Sequence, residues 1–211
     1  MWYASIWIHT LKLPWSLGAN LFLNNLLDGD PASNTLSWRW VAGIQTKGKS
    51  YLAKDWNIQK FTKNRFEPKE SDFSAIPAKV NYIDYKMNSI KFHEANGFDW
   101  DQSGLLVTSE DMHVLSSNRI DFPLQNAYIL ALTDTEKANY SKNVSNFKQA
   151  ISLSTKELLS AHIQNIETQS MDLDQIEQIT LWAQQKNIKN IITLACPCGH
   201  VRDFINILKN K

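Results

Sequence analysis

One short run holds the residues best placed to do chemistry: the acids Asp28 and Asp30 on either side of Gly29, followed by Asn34 and Trp38. Asn34 and Trp38 lie four positions apart, hence one turn apart on one face of a helix. An amide and an indole arranged so can both approach a single planar molecule. Indole is the side chain most easily oxidised without a metal, so ordered tryptophans suit electron donation. Trp2, Trp7, Trp15, Trp38, Trp40 and Trp56 crowd the front of the chain, and only Trp100 and Trp182 follow. Each of these residues also has an ordinary reading. Asp30 suits a helix cap, Asp28 a surface position at a helix end, and the tryptophans a core. A second cluster, Cys196-Pro197-Cys198-Gly199-His200, brings two thiols and an imidazole together. Structural zinc takes four ligands and the chain has no further cysteine, so Gly199 is expected to shape a turn and no metal site is predicted. Asn143-Val144-Ser145 matches a glycosylation acceptor, which means little without a secretory leader.

The elements that must hold the first run can be read from spacing. Trp2 to Ile8 is apolar on nearly every side, which predicts a helix buried all round. Pro14 suits the first turn of a second helix, expected to reach Leu27, with Leu17, Leu21, Phe22 and Leu26 at helical spacing. Asp28-Gly29-Asp30-Pro31 then predicts a corner. Gly29 can take the positive φ that ends a helix, Asp30 can cap the next, and Pro31 fits its first position. The third helix is expected over Pro31 to Val41. Residues 59–100 read as a connector with short ordered pieces, punctuated by Pro68 and Pro77. Beyond it, Leu105–Thr108, Tyr128–Leu132 and Asn190–Leu194 read as buried strands. Helices are expected near Asn143–Ile163, Asp172–Lys186 (Asp172 as N-cap, Gln175 completing a capping box) and Val201–Leu208. Strands alternating with helices predict a small parallel α/β domain. The fold class is therefore α+β, with a helical part over 1–66, a connector over 67–103 and an α/β domain over 104–211.

The stretch from Asp28 to Asn34 with Trp38-Arg39-Trp40, together with Trp15, Gly18 and Tyr51, resembles the flavin-binding region of the DNA photolyase/cryptochrome family. The resemblance runs from Met1 to about Asn57. It implies that the helical part is a fragment of that family's FAD-binding domain, the C-terminal portion of a flavin-dependent, light-driven lyase that repairs pyrimidine dimers in DNA. By the same resemblance Asp28, Gly29, Asp30 and Asn34 contact FAD, with Asn34 facing flavin N5. Trp38 and Trp15 relay electrons, and Met1 and Trp40 meet the flipped lesion. Damaged DNA is the implied partner. A missing N-terminal half would be supplied in trans, because family members carry an antenna domain and a helical segment ahead of the matched region. That segment includes an arginine paired with the residue matched by Asp28. Losing a partner from a buried ion pair costs about 3–5 kcal/mol, so the chain alone is expected to bind FAD weakly or not at all. A cryptochrome-like photoreceptor and an inactive remnant are the alternative readings.

Composition narrows the classes. Lys plus Arg is 22 against 21 Asp plus Glu, which excludes function by bulk electrostatics. The balance is uneven, however: residues 1–66 hold 8 Lys/Arg and 3 Asp/Glu, a net of +5, leaving 14 and 18, a net of −4, for the rest. Lys47, Lys49, Lys54, Lys60, Lys63 and Arg65 thus offer a modest phosphate-contacting surface. Two cysteines make no disulfide framework, and no apolar run approaches a membrane span, so a cytoplasmic protein with no membrane partner is expected.

Overall fold

A computed structural model describes residues 1–46, 48–81, 99–113, 124–131, 139–170, 176–196 and 199–210. The chain divides into two compact units, Met1–Asn88 and Ser89–Lys211.

The first unit is helical. Helix α1 (Trp2–Ser5) runs directly into a wider π-helical turn, Ile6–Thr10, and is followed by α2 (Trp15–Leu23), α3 (Pro31–Val41) and α4 (Asp55–Phe61). The opening helix is not buried all round as its composition predicts. Ala4, Ser5, Ile8 and His9 are buried, while Met1 and Tyr3 are 61% and 47% exposed. Polar groups pin the buried side. The Ser5 hydroxyl accepts from the Ala53 amide at 2.7 Å, His9 Nε2 lies 3.0 Å from the Val41 carbonyl, and His9 Nδ1 accepts from the Ala78 amide at 3.1 Å. Helix α2 stops at Leu23, short of the expected Leu27. The Asn25 side chain donates to the Leu21 carbonyl at 2.8 Å, satisfying a helix-end acceptor that another turn of helix would otherwise take. The connector expected from residue 59 begins inside α4. The core of the unit joins Ala4, Ile8, Ala19, Trp38, Val41, Ala42 and Ile44.

The second unit is a four-stranded, wholly parallel sheet in the order β3-β2-β1-β4, from β1 (Ser103–Val107), β2 (Asn126–Ala131), β3 (Asn165–Ser170) and β4 (Asn190–Ile192). Leu106 registers with Tyr128, Tyr128 with Glu167, and Gly104 with Ile191. Helices α5 (Lys142–Ser160), α6 (Ile176–Gln185) and α7 (His200–Leu208) cover it. Alternation along the inner strands feeds two cores. Leu106, Tyr128 and Leu130 pack with Ile179 and Trp182 of α6 and Val201 and Phe204 of α7. Leu105, Val107, Ala127 and Ile129 pack with Leu159 at the end of α5 and Ile163. Helices with a small parallel sheet agree with the expected class. Strand β3 is an addition to it: its polar sequence, Asn165-Ile166-Glu167-Thr168-Gln169-Ser170, has no apolar run to announce an edge strand. Lys47, Leu132, the proposed cap Asp172, Pro197 and Cys198 lie outside the described residues. Among the described residues, no helix is long and apolar enough to cross a membrane, and no group of three or more His, Cys, Asp or Glu could hold a metal ion.

Candidate functional site

Between α2 and α3 the chain turns a corner that leaves a cleft of about 150 Å³. The turn depends on Gly29, whose φ of 52° is a left-handed conformation that costs a side-chain-bearing residue. Asp30 then caps α3, its Oδ1 accepting from the Ala32 amide at 2.8 Å and the Ser33 amide at 3.3 Å, with Pro31 in the first turn. The capping and corner roles read from sequence are therefore present in the structure.

Helix α3 supplies one wall. Ser33, Asn34, Ser37, Trp38 and Val41 line the cleft, continuing a stripe that starts at Asp30, and Asp28, Phe22, Leu26, Ala4 and Met1 complete it. Positions 30, 33, 34, 37, 38 and 41 follow the spacing of a single helical face. That spacing was the signal for Ser33, Ser37 and Val41, which residue-by-residue reasoning passed over. Met1, Asp28, Asp30, Asn34 and Trp38 are thus brought together. Gly29 shapes the corner from a buried position, and Trp15 and Trp40 are not in the lining. Trp15 is half-buried beside the same core, and Trp40 is 41% exposed and stacks on Tyr51 at 6.3 Å.

Asn34 is oriented by chemistry. It is 8% exposed, and its Nδ2 donates to the Ala19 carbonyl at 2.8 Å. A carbonyl can only accept, so the amide nitrogen must face α2. The Oδ1 atom, which has no partner among the described residues, is left as an acceptor for whatever occupies the cleft. Asp28 likewise makes no hydrogen bond or ion pair among the described residues. Trp38, 2% exposed, is held by close approach of α2. A Cβ on Gly18 would fall 2.2 Å from its Cη2 atom. Around it stand Phe22 at 5.1 Å, Tyr3 at 6.4 Å and Trp7 at 6.4 Å, all tilted close to perpendicular. Tyr3 in turn lies 5.8 Å from Trp7 in a stacked arrangement.

In the second unit, burial and then the nearby Glu110 push the Cys196 thiol up to about 11. A thiol held protonated is a poor nucleophile and a poor metal ligand at neutral pH.

The cleft falls within the part of the chain that has known counterparts. Residues 1–71 match the family model described as the FAD binding domain of DNA photolyase. Among individual proteins, the deoxyribodipyrimidine photo-lyase of Streptomyces griseus is 51% identical over 43 residues, 20% of this chain and 10% of that protein. The enzyme of the same name from Buchnera aphidicola is 38% identical over 49 residues, 23% of this chain and 10% of its own length. Cryptochrome DASH of Idiomarina loihiensis is 34% identical over 65 residues, covering 31% of this chain and 14% of the relative. The chain therefore spans a small fraction of the curated relatives it matches. No solved structure gives a significant match.

The family match supports FAD as the cofactor, and the residues present fit it. The cleft offers acceptors (Asn34 Oδ1 and two carboxylates) beside aromatic and apolar walls, which suits a planar ring carrying N–H and hydroxyl donors. Its volume is below the ~300–1,000 Å³ usual for cofactor sites, so it covers one side of such a molecule rather than enclosing it.

Proposed function

We propose that residues 1–71 form the isoalloxazine side of an FAD site in a light-driven, photolyase-type DNA repair protein. The single observation behind this reading is the convergence of Met1, Asp28, Asp30, Asn34 and Trp38 on one cleft inside the matched segment. FAD, when bound, supplies a chromophore that gives or takes one electron on excitation. With its Nδ2 committed to the Ala19 carbonyl, Asn34 would offer only an acceptor oxygen, which suits a ring that carries N–H at N5, the reduced form. Asp28 and the uncapped oxygen of Asp30 accept from ribityl hydroxyls. Trp38, shielded from water, would serve as electron donor to such a chromophore, with Trp15 near the same core as the further donor that the resemblance implies. Met1, at the mouth of the cleft, and the exposed Trp40 offer apolar surface to an extrahelical pyrimidine dimer that has lost its stacking. The open side of the cleft leaves room for a second protein segment, and the chain alone is expected to bind flavin weakly.

The test is repair of a dimer-containing oligonucleotide under blue light, using the chain with FAD and a polypeptide carrying the rest of the relatives' length. Repaired product, lost in Asn34→Leu, supports the reading. Bound, photoreducible flavin with no repaired product favours a cryptochrome-like photoreceptor. Failure to bind flavin in any combination contradicts both.

A further inference from the structure

The rings around Trp38 form a continuous path to solvent, and that path is complete without a step through Trp15. Trp38 is sealed at 2% exposure. Its ring contacts among the described residues are Phe22, Trp7 and Tyr3, and Phe22 is far harder to oxidise than indole or phenol. Trp7 and Tyr3 both can be oxidised, touch each other, and reach outward, with Tyr3 47% exposed. Trp15 belongs to the same hydrophobic cluster but has no ring contact with Trp38 among the described residues.

We propose that Tyr3, directly and through Trp7, is the terminal electron donor that re-reduces Trp38 after Trp38 has given an electron to a photoexcited flavin. The proposal rests on the flavin reading above. Electrons and protons balance as follows. Trp38 loses one electron to the flavin and becomes a radical cation. An electron from Trp7, or from Tyr3 itself, restores it. An electron from Tyr3 restores Trp7. Oxidised Tyr3 releases its phenolic proton to water, which its exposure makes available, and is left as a neutral tyrosyl radical. A thiol in solution returns the electron, water returns the proton, and the thiol is oxidised. Releasing that proton to bulk water is what makes the charge separation last, because the hole can no longer return to Trp38 without first recapturing a proton.

The second unit holds an internal control. Tyr128 and Trp182 also touch, with ring centroids 5.2 Å apart, but Tyr128 is 1% exposed and its hydroxyl has no partner among the described residues. A phenol there has nowhere to send its proton, so this pair should not carry the reaction.

The decisive experiment needs no flavin. Azide radicals made by pulse radiolysis oxidise tryptophan in the whole chain, and transient absorption follows the tryptophanyl band as it converts to the tyrosyl band. In a Tyr51→Phe background, which silences the exposed Trp40 stacked on Tyr51, the expected result is a fast first-order phase, independent of protein concentration, that is lost in Tyr3→Phe and kept in Tyr128→Phe. Tyr3→Phe retains the ring packing, and the deleted hydroxyl makes no hydrogen bond among the described residues, so an unchanged near-ultraviolet circular dichroism spectrum is expected. A fast phase that survives Tyr3→Phe, or is absent from the unmodified chain, overturns the proposal. A Tyr3-dependent phase in a chain that takes up no flavin even with the complementing polypeptide leaves the relay standing and removes the flavin reading. Flavin uptake without that phase removes the relay alone.

Discussion

Each unit seats one tryptophan against a glycine, and the surroundings of those two contacts separate the halves of the molecule. A Cβ on Gly18 would come 2.2 Å from Trp38, and one on Gly104 would come 2.6 Å from Trp182. Both indoles are 2% exposed. Trp182, however, packs from α6 onto one face of a parallel sheet, against Leu106, Tyr128 and Leu130, all at 0–1% exposure. Its Nε1 is buried without a partner among the described residues. Trp38 opens on one side to a cleft lined by carboxylates and an amide, and on another to an outward chain of aromatic rings. The same side chain is cement in one unit and, in the function proposed above, a buried electron donor in the other. What differs is whether acceptors and an oxidisable ring in contact with water lie within reach, since Tyr128 beside Trp182 is sealed and Tyr3 beside Trp38 is not.

That contrast can be broken most strongly at Trp182. Trp182→Ala empties a sealed site and is expected to cost about 3–5 kcal/mol. In urea, the sheet unit should unfold early while the helical unit's aromatic circular dichroism persists; a loss below 1 kcal/mol would mean that the sheet is not cemented there. Gly18→Ala should have a smaller effect. Alanine is the better helix former by about 0.8–1.0 kcal/mol, but overpacking a ring boxed in by Tyr3, Trp7 and Phe22 costs about 1–3 kcal/mol. Net destabilisation with an altered near-ultraviolet spectrum is expected, and a stabilised variant would show that Trp38 is free to move.

Tyr128 sharpens the comparison by pH. Burial, and secondarily the charge of Glu167, push its hydroxyl up to about 12 from 10. The neutral phenol is thus favoured in the folded state. Stability from this group is complete below pH 10 and is lost as the pH rises toward 12. Tyr128→Phe should remove that alkaline loss. Because the hydroxyl is buried without a partner among the described residues, the same variant should be neutral or stabilising at pH 7. Unchanged alkaline unfolding would contradict the assignment.

Local rules made the corner legible, since Gly29, Asp30 and Pro31 each have one dominant conformational use. The inner strands were legible because burial on both faces leaves an unbroken apolar run. Strand β3 was not, being a polar edge. Nor was the end of α2, where the Asn25 side chain competes with the backbone for the Leu21 carbonyl. In the site, the stripe from Asp30 to Val41 was present in the spacing. Which ring touches Trp38 was not, because contacts between α1, the π-helical turn and α3 are tertiary and leave no mark on sequence spacing.

The central claim is that the corner and α3 hold a flavin while the sheet unit does not. The most direct measurement is FAD titration of the isotope-labelled chain, followed by backbone amide resonances, which registers even weak binding. The account predicts saturable shifts at Asp28, Asp30, Ser33, Asn34, Ser37 and Trp38, with strands β1 to β4 unmoved. Shifts confined to the sheet unit, or none at any flavin concentration even with the complementing polypeptide added, would contradict it.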